Sequence, residues 1–426
     1  MPPSLPATAV VADQLPDLPS GRSAITKWVT RHLGHLCSDE PTASEAFTGG
    51  QAAADQALAS LDISGYARSR SMVYPPSARG ASKLSPYIRH GLLSLRSVWE
   101  ATNNASSYDR FRYQGELLWQ EHARQWYAVY GEATRHPITH EPGRATKEWD
   151  HPPWWRDMRC INATVEELER DGWCVNQTRM WLASQYVVRA GGDVSAGEDA
   201  MFAHLLDGSR AANRMGWQWM AGTSRSRAGG FARQQVKKRA PRYCATCSLA
   251  DNCPIGGYAR VAPRDSVESP SLLASADAFG PTSADASTTP DLVWLTAESL
   301  GMSDPALSAY PDIPVVFVFD EPLLRRLQLS GKRLIFLAET LAELAVRREV
   351  AVYLGKPAEV LKSMQLAATF APVPGFRRLT SGSKLNVALL PWPWLRPPTD
   401  GLLGYLEVKG RYPTFKDWCR LTKPIG

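Results

Sequence analysis

The chain has 426 residues, 44% of them hydrophobic and 21% charged, with a formal net charge of +6. That length is too great for one ordinary core and implies two domains, and nowhere do about eighteen apolar residues run together, which excludes a helical membrane span. Seven cysteines, an odd number without an export signal, argue against a disulfide framework and for reduced thiols in the cytoplasm, with metal ligation where they cluster.

The first stretch, residues 1–20, is Pro-rich and lacks a basic start followed by an apolar core, so it reads as a disordered leader and not a secretion signal. From 21 to 262 the pattern is helical: the stretches 115–131 and 164–188 space apolar residues three and four apart, with few β-branched alternating runs. Residues 263–290 are rich in Ser, Ala, Pro and Asp, hold too little apolar surface to order themselves, and read as a linker. From 291 to 426 short apolar runs, 292–295, 315–319 and 350–354, are separated by a helical stretch over 332–348. That alternation predicts a parallel sheet with helices. No Gly-x-Gly-x-x-Gly follows the first run, so the usual dinucleotide fingerprint is missing there. The expected fold class is multidomain, α and α/β: an all-helical domain followed by a Rossmann-like parallel α/β domain.

Three local patterns carry chemistry. Ser224 to Arg242 is dense in Lys and Arg and has no acid, enough to neutralise several backbone phosphates, although a solvated surface run has the same composition. Cys244, Cys247 and Cys253 put three soft ligands within ten residues, with Pro254 after the last, a spacing that serves an iron–sulfur cluster or zinc. Ser82, Lys83 and Ser85 offer hydroxyls and a cation before an apolar helix, which suits a diphosphate and equally an ordinary helix cap.

Four segments in order, ASKLSPYIRHGLLSLRSVW from Ala81, GELLWQEHARQW from Gly115, GWCVNQTRMWLAS from Gly172 and LLDGSRAANRMGWQWMAGTS from Leu205, resemble the signature segments of the photolyase/cryptochrome family. The resemblance implies a helical FAD-binding domain in which Ser82, Lys83, Leu84 and Ser85 hold the phosphates and Tyr66, Arg70 and Tyr113 line the cofactor. It places the Arg179–Asp207 ion pair beside the isoalloxazine and Asn213 against flavin N5. It also implies a lesion pocket of Glu116, Trp119, Asn176, Met180 and Trp219, with Trp217 as the tryptophan nearest the flavin in an electron-transfer chain. The chemistry agrees, since a buried flavin anion needs a fixed cation and donors facing it. Four departures stand out: Ala81 replaces a Thr, Gln120 an Arg, and Ser209 a carboxylate, while Val194 falls about where the chain's middle tryptophan belongs. Electron transfer then needs another route, through Trp126, Trp155, Trp173 or Trp181.

One bacterial subgroup of the family carries a four-iron four-sulfur cluster, and Cys160 stands where its remaining ligand would be. The implied set is Cys160, Cys244, Cys247 and Cys253, with Cys174 in reserve; zinc and no metal are the competing readings. That subgroup's paired histidines for (6-4) lesions are Val175 and Asn176 here, so the proton donor is missing. Cyclobutane pyrimidine dimers are the expected lesion and (6-4) repair the alternative. Arg233, Lys237 and Lys238 are expected to hold DNA phosphate. Residues 292–426 resemble, more weakly, the family's antenna domain, with Thr296–Leu300 in place of its Arg/Asp/Leu/Arg turn and the antenna chromophore left open. The domain order is reversed, as in a circular permutation. The expectation is a monomeric, light-dependent DNA-repair flavoenzyme, a carbon–carbon lyase acting on DNA that contains pyrimidine dimers. The competing classes are a blue-light photoreceptor without repair activity and a redox protein for DNA-linked electron transfer.

Overall fold

The computed structural model describes residues 13–225, 227–272, 276–284, 289–381 and 385–425. Residues 1–12 of the expected leader, and 273–275 and 285–288 of the expected linker, lie outside the described residues.

The apolar runs of the second half form a sheet in the order β1-β4-β3-β2-β5-β6, with β1 at Asp13–Gln14, β2 at Leu292–Leu295 and β3 at Val315–Asp320. The remaining strands are β4 at Val350–Gly355, β5 at Gln365–Thr369 and β6 at Asn386–Leu390. Strands β2 to β6 are parallel, and β2 and most of β3 are buried on both faces, as a sheet covered by helices requires. The chain steps from β2 outward to β3 and β4, then returns to the other side for β5 and β6, so the winding reverses at β2.

The end of the expected leader is ordered, contrary to the sequence reading. Asp13 and Gln14 pair antiparallel with Leu354 and Tyr353, and the Leu15 amide donates to the Val352 carbonyl at 2.8 Å while its side chain joins the core. An open edge of β4 offers unpaired backbone groups, and this short strand satisfies them. The described part of the expected linker is also held: the Val267 amide donates to the Thr139 carbonyl, and Ala278 and Phe279 are buried in a cluster with Trp126 and Leu402.

The helices used below are α1 (Arg22–Leu33), α2 (Ser85–Arg89), α3 (Ser107–Tyr130), α4 (Arg159–Asp171), α5 (Asn176–Ala183), α6 (Arg210–Ala221), α7 (Arg233–Arg239), α8 (Gly331–Ala345) and α9 (Phe415–Leu421). α1 packs on α8, and Ile25, Val29 and Leu33 share a core with Leu334, Ile335 and Ala338. The same core takes in Tyr87 and Ile88 of α2 and Leu117 of α3, an apolar seam between the helices and the α/β part. Each large side chain buried there contributes about 1.5–3 kcal/mol. Among the described residues, no helix is long and apolar enough to cross a membrane.

Candidate functional site

Helices α2, α3, α5 and α6 enclose a cavity of about 590 Å³. Its wall holds every residue expected from the sequence for the flavin and the lesion except Leu84. Leu84 is buried and serves the helix instead, its carbonyl accepting the Ile88 amide at 3.0 Å.

At the centre, Arg179 of α5 donates to both oxygens of Asp207 at 3.0 and 2.8 Å, and its Nε donates to the Cys174 carbonyl at 3.0 Å. Burial alone would lower the guanidinium pKa, but the Asp207 carboxylate outweighs it and the net shift is upward, so Arg179 is a fixed cation. The loop carrying Asp207 ends at Ser209, whose hydroxyl caps α6 by accepting the Ala212 amide. Ser209 therefore puts a cap where the family has a carboxylate. One turn into α6, the Asn213 side-chain nitrogen is buried with no hydrogen-bond partner among the described residues. A buried amide left unpaired costs about 1–3 kcal/mol, and an acceptor on a bound ring removes that cost.

The expected phosphate end is also organised. Tyr113 donates to Ser82 Oγ at 2.9 Å and the Trp173 indole donates to Ser85 Oγ at 3.0 Å, so both serine oxygens are positioned while their own O–H groups remain to donate. Lys83 between them has φ 58°, a left-handed backbone that costs a non-glycine residue about 1 kcal/mol, and its ammonium lies 5.8 Å from the Trp173 ring centre. Tyr66 packs edge-on against Tyr113 at 4.9 Å. These hydroxyls, the cation, the unpaired amide and the cavity fit FAD.

The mouth is aromatic. Trp119 is 37% and Trp219 42% exposed, with ring centres 6.2 Å apart. Glu116 is ion-paired to Arg70, which joins a residue expected at the lesion to one expected at the cofactor. Burial raises the Glu116 pKa, against the pull of Arg70 and Arg112. Met180 and Asn176 of α5 complete this wall.

Several site residues were not anticipated. Phe415 of α9 stacks on Trp119 at 4.0 Å with 9° between the rings. Arg225 lies 3.9 Å over Trp219. Arg89 and Arg124 also line the cavity; Arg89 pairs with Glu298 at 2.7 Å, and Arg124 lies 4.6 Å over Trp392 of the α/β part. Arg124 stands one helical turn after Gln120 on the same face, so a search for a displaced cation could have found it. Glu298 lies in the altered Thr296–Leu300 turn, which docks the halves: the Ala297 carbonyl bonds His90 Nδ1 at 2.7 Å and the Leu300 amide donates to the His90 carbonyl at 2.9 Å.

Trp217 is buried, and the ring against it is Tyr186 at 5.8 Å, followed by Trp154 at 5.4 Å from Tyr186. Tyr186 sits on a π-helical turn, Ser184–Arg189, directly after α5. None of the four tryptophans named as detours fills this position: Trp181 stacks on Phe231 and Trp126 packs on Tyr130.

Cys160 at the start of α4 and Cys244, Cys247 and Cys253 line one small pocket, whereas the reserve residue Cys174 lines the large cavity. Burial, and then the three other cysteines, push the Cys160 thiol up to about 12. Among the described residues, no group of three or more His, Cys, Asp or Glu side chains forms a site for a metal ion. Arg233 lines this pocket beside Cys244, while Lys237 and Lys238 are exposed on α7. A separate cavity of about 820 Å³, lined by Arg189, Arg225 and Arg227 with no carboxylate among the described residues of its wall, adjoins Trp219 through Arg225.

Residues 113–242 match the FAD binding domain of DNA photolyase. A deoxyribodipyrimidine photo-lyase from Vibrio cholerae is 32% identical over 168 residues, 35% of this chain and 34% of the relative. One from Synechococcus is 29% identical over 167 residues, covering 34% and 33%. The chain thus spans about a third of the length of the curated relatives it matches. Among solved structures, a Synechocystis cryptochrome aligns with a TM-score of 0.41 at 21% identity, covering 47% of this chain and 46% of that one. An Agrobacterium tumefaciens class III photolyase aligns at 0.36 and 24%, covering 46% and 45%. Four motifs converge on one cavity, and over residues 113–242, which supply much of its wall, the chain carries a FAD binding domain of the DNA photolyase type.

Proposed function

We propose that the protein is a light-dependent DNA-repair flavoenzyme that splits cyclobutane pyrimidine dimers. The observation that carries this reading is the cavity in which the Arg179–Asp207 pair and the unpaired Asn213 amide lie behind a mouth walled by Trp119, Trp219, Glu116 and Asn176. FAD, when bound and reduced, supplies the electron that light delivers to the lesion. The chain's own residues do the rest. Ser82, Lys83 and Ser85 hold the diphosphate, Arg179 fixes a positive charge beside the ring, and Asn213 donates to it. A dimer stacked in a helix cannot enter the cavity, so the base pair must be turned out, and Trp119 and Trp219 offer stacking faces in place of the lost neighbours. Glu116 and Asn176 bond the base edges, the Glu116 carboxylate held by Arg70 accepting and the Asn176 amide donating. Arg233, Lys237 and Lys238, expected from the sequence to bind backbone phosphate, are joined by Arg225 over Trp219 and by Arg189 and Arg227 in the cavity that adjoins it through Arg225.

The finer reading treats 21–262 as the flavin unit and 291–426 as an antenna-type Rossmann-like unit in reversed order, in a cytoplasmic monomer, with the antenna chromophore's identity open. The four-cysteine pocket supports a four-iron four-sulfur cluster on Cys160, Cys244, Cys247 and Cys253. Iron and acid-labile sulfide in the anaerobically purified protein, lost in Cys160→Ser and Cys253→Ser, is the expected result. One zinc per chain, or no metal, would end the cluster reading.

A photoreceptor without repair activity is the second reading, favoured by one observation: Phe415 already covers one face of Trp119, and Arg225 one face of Trp219. One experiment separates the two. The flavin-reduced protein is illuminated with blue light beside dimer-containing single- and double-stranded DNA, and pyrimidine absorbance is followed. Recovery that slows in Glu116→Ala with the flavin still bound supports repair; no recovery on either substrate removes it.

A further inference from the structure

Helix α3 runs to the cleft from an exposed end. Between Ser107 and Trp119 one face carries Tyr108, Phe111, Arg112 and Trp119, at i, i+3, i+4 and i+11, with successive turns about 5.4 Å apart along the axis. Phe111 is 70% exposed and Tyr108 56%. The Arg112 guanidinium lies between the two rings, 5.6 Å from the centre of Tyr108 and 6.0 Å from that of Phe111. Gly115 fills the interval before Trp119, and a Cβ there would meet nothing within 4 Å, so the face stays open along its length. Folding gains nothing from leaving these rings in water, and an exposed aromatic stripe of this kind marks a partner. The acids nearby are committed elsewhere: Asp109 accepts from the Gly65 and Ala67 amides and the Ser106 hydroxyl, and Glu116 is held by Arg70.

We propose that this stripe is a track for the unpaired bases of a single nucleic-acid strand leading to Trp119, and that it makes single-stranded DNA the preferred form of the substrate. The proposal rests on the nucleic-acid reading of the cleft and deepens it. Every base has a π face, so rings interleaved with a guanidinium hold a strand without reading its sequence. A duplex hides those faces and presents phosphates, to which Tyr108 and Phe111 offer nothing. The positive charge on the stripe suits the strand's backbone, and its continuity with the rim places the flanking bases beside the extruded pair.

The test uses the full chain in the dark, with a labelled undamaged thymidine oligomer and a hairpin duplex of equal length. Tyr108→Ser and Phe111→Ser should each weaken single-strand binding roughly tenfold, and Arg112→Gln should flatten its salt dependence by about one ion. Duplex binding, flavin content and thermal stability should stay at wild-type values, since all three side chains are exposed. Single-strand affinity within twofold of wild type, equal losses on both oligonucleotides, or a change of association state in sedimentation would each overturn the proposal, the last by showing a protein contact. A wild-type chain that binds neither oligonucleotide removes the reading of the cleft as well; strong wild-type binding with unchanged variants removes the stripe alone.

Discussion

Replacing Asp207 with Asn keeps the shape of the side chain but takes one charge from the centre of the cavity, leaving the buried Arg179 with an amide where it had two carboxylate oxygens. The two bonds it weakens are charge-assisted, 3.0 and 2.8 Å long, between side chains exposed by 14% and 5%. Two unit charges about 4 Å apart attract by about 4 kcal/mol at an effective dielectric of 20, and removing one partner of a buried pair costs about 3–5 kcal/mol. Asp207→Asn and Arg179→Gln should therefore each destabilise the apoprotein by about 3 kcal/mol. The double variant should fall short of the sum by about 1–3 kcal/mol, because the second substitution removes a group already without its partner. Urea unfolding followed by tryptophan fluorescence, with the midpoint shift read at unchanged slope, measures all four corners of the cycle. Additivity within about 0.5 kcal/mol would show that the two charges do not depend on each other and would refute the reasoning.

Three further outcomes follow from the same geometry. Burial raises the Glu121 carboxyl from its ordinary 4.5 to about 7, so its contribution to stability is full below 4.5 and is lost as pH rises toward 7. The neighbouring His122 is lowered by burial from 6.5 to about 4, so its contribution is full above 6.5 and is lost as pH falls. Between 4.5 and 6.5 the two slopes oppose, and Glu121→Gln should unmask a loss of about 3 kcal/mol, relative to wild type, as pH drops through that window; parallel curves for the two proteins would contradict this. Tyr186→Phe should slow light-driven bleaching of the flavin colour in thiol at least several-fold, since phenylalanine is far harder to oxidise; an unchanged rate would show that electrons do not pass between Trp217 and Trp154 by this ring. Gly197→Ala would set a methyl 2.4 Å from the Trp217 ring, and the overpacking should cost about 1–3 kcal/mol in the unfolding midpoint; a neutral substitution would mean that the ring moves aside freely.

The cavity was legible because its residues come from four short segments, each with its spacing set by one helix or one loop. Arg179 sits a few residues from the start of α5, and Asp207 and Asn213 flank the Ser209 cap of α6, so local geometry carries the pattern. What was hidden is tertiary. Phe415, Trp392 and Glu298 reach the helices from the other half of the chain, and no local spacing announces that approach. Strand β5 reads Gln-Leu-Ala-Ala-Thr, too short and too poor in β-branched residues to signal itself, and it is held by its parallel neighbours β2 and β6. Asp13 and Gln14 looked like part of a loose leader because nothing in two polar residues predicts that the edge of β4 needs a partner. The basic stretch after Ser224 was visible as charge, but its composition could not divide it into Arg233, turned to the cysteines, and Arg225 and Arg227, turned to the separate cavity that adjoins Trp219.

The most direct test of the central claim is reconstitution of the flavin-free chain with FAD, followed by quenching of flavin fluorescence. One FAD per chain should bind at saturation, with affinity reduced at least tenfold in Arg179→Gln and in Ser82→Ala/Ser85→Ala. A chain that takes up no flavin, or one whose affinity ignores all three side chains, would contradict the account.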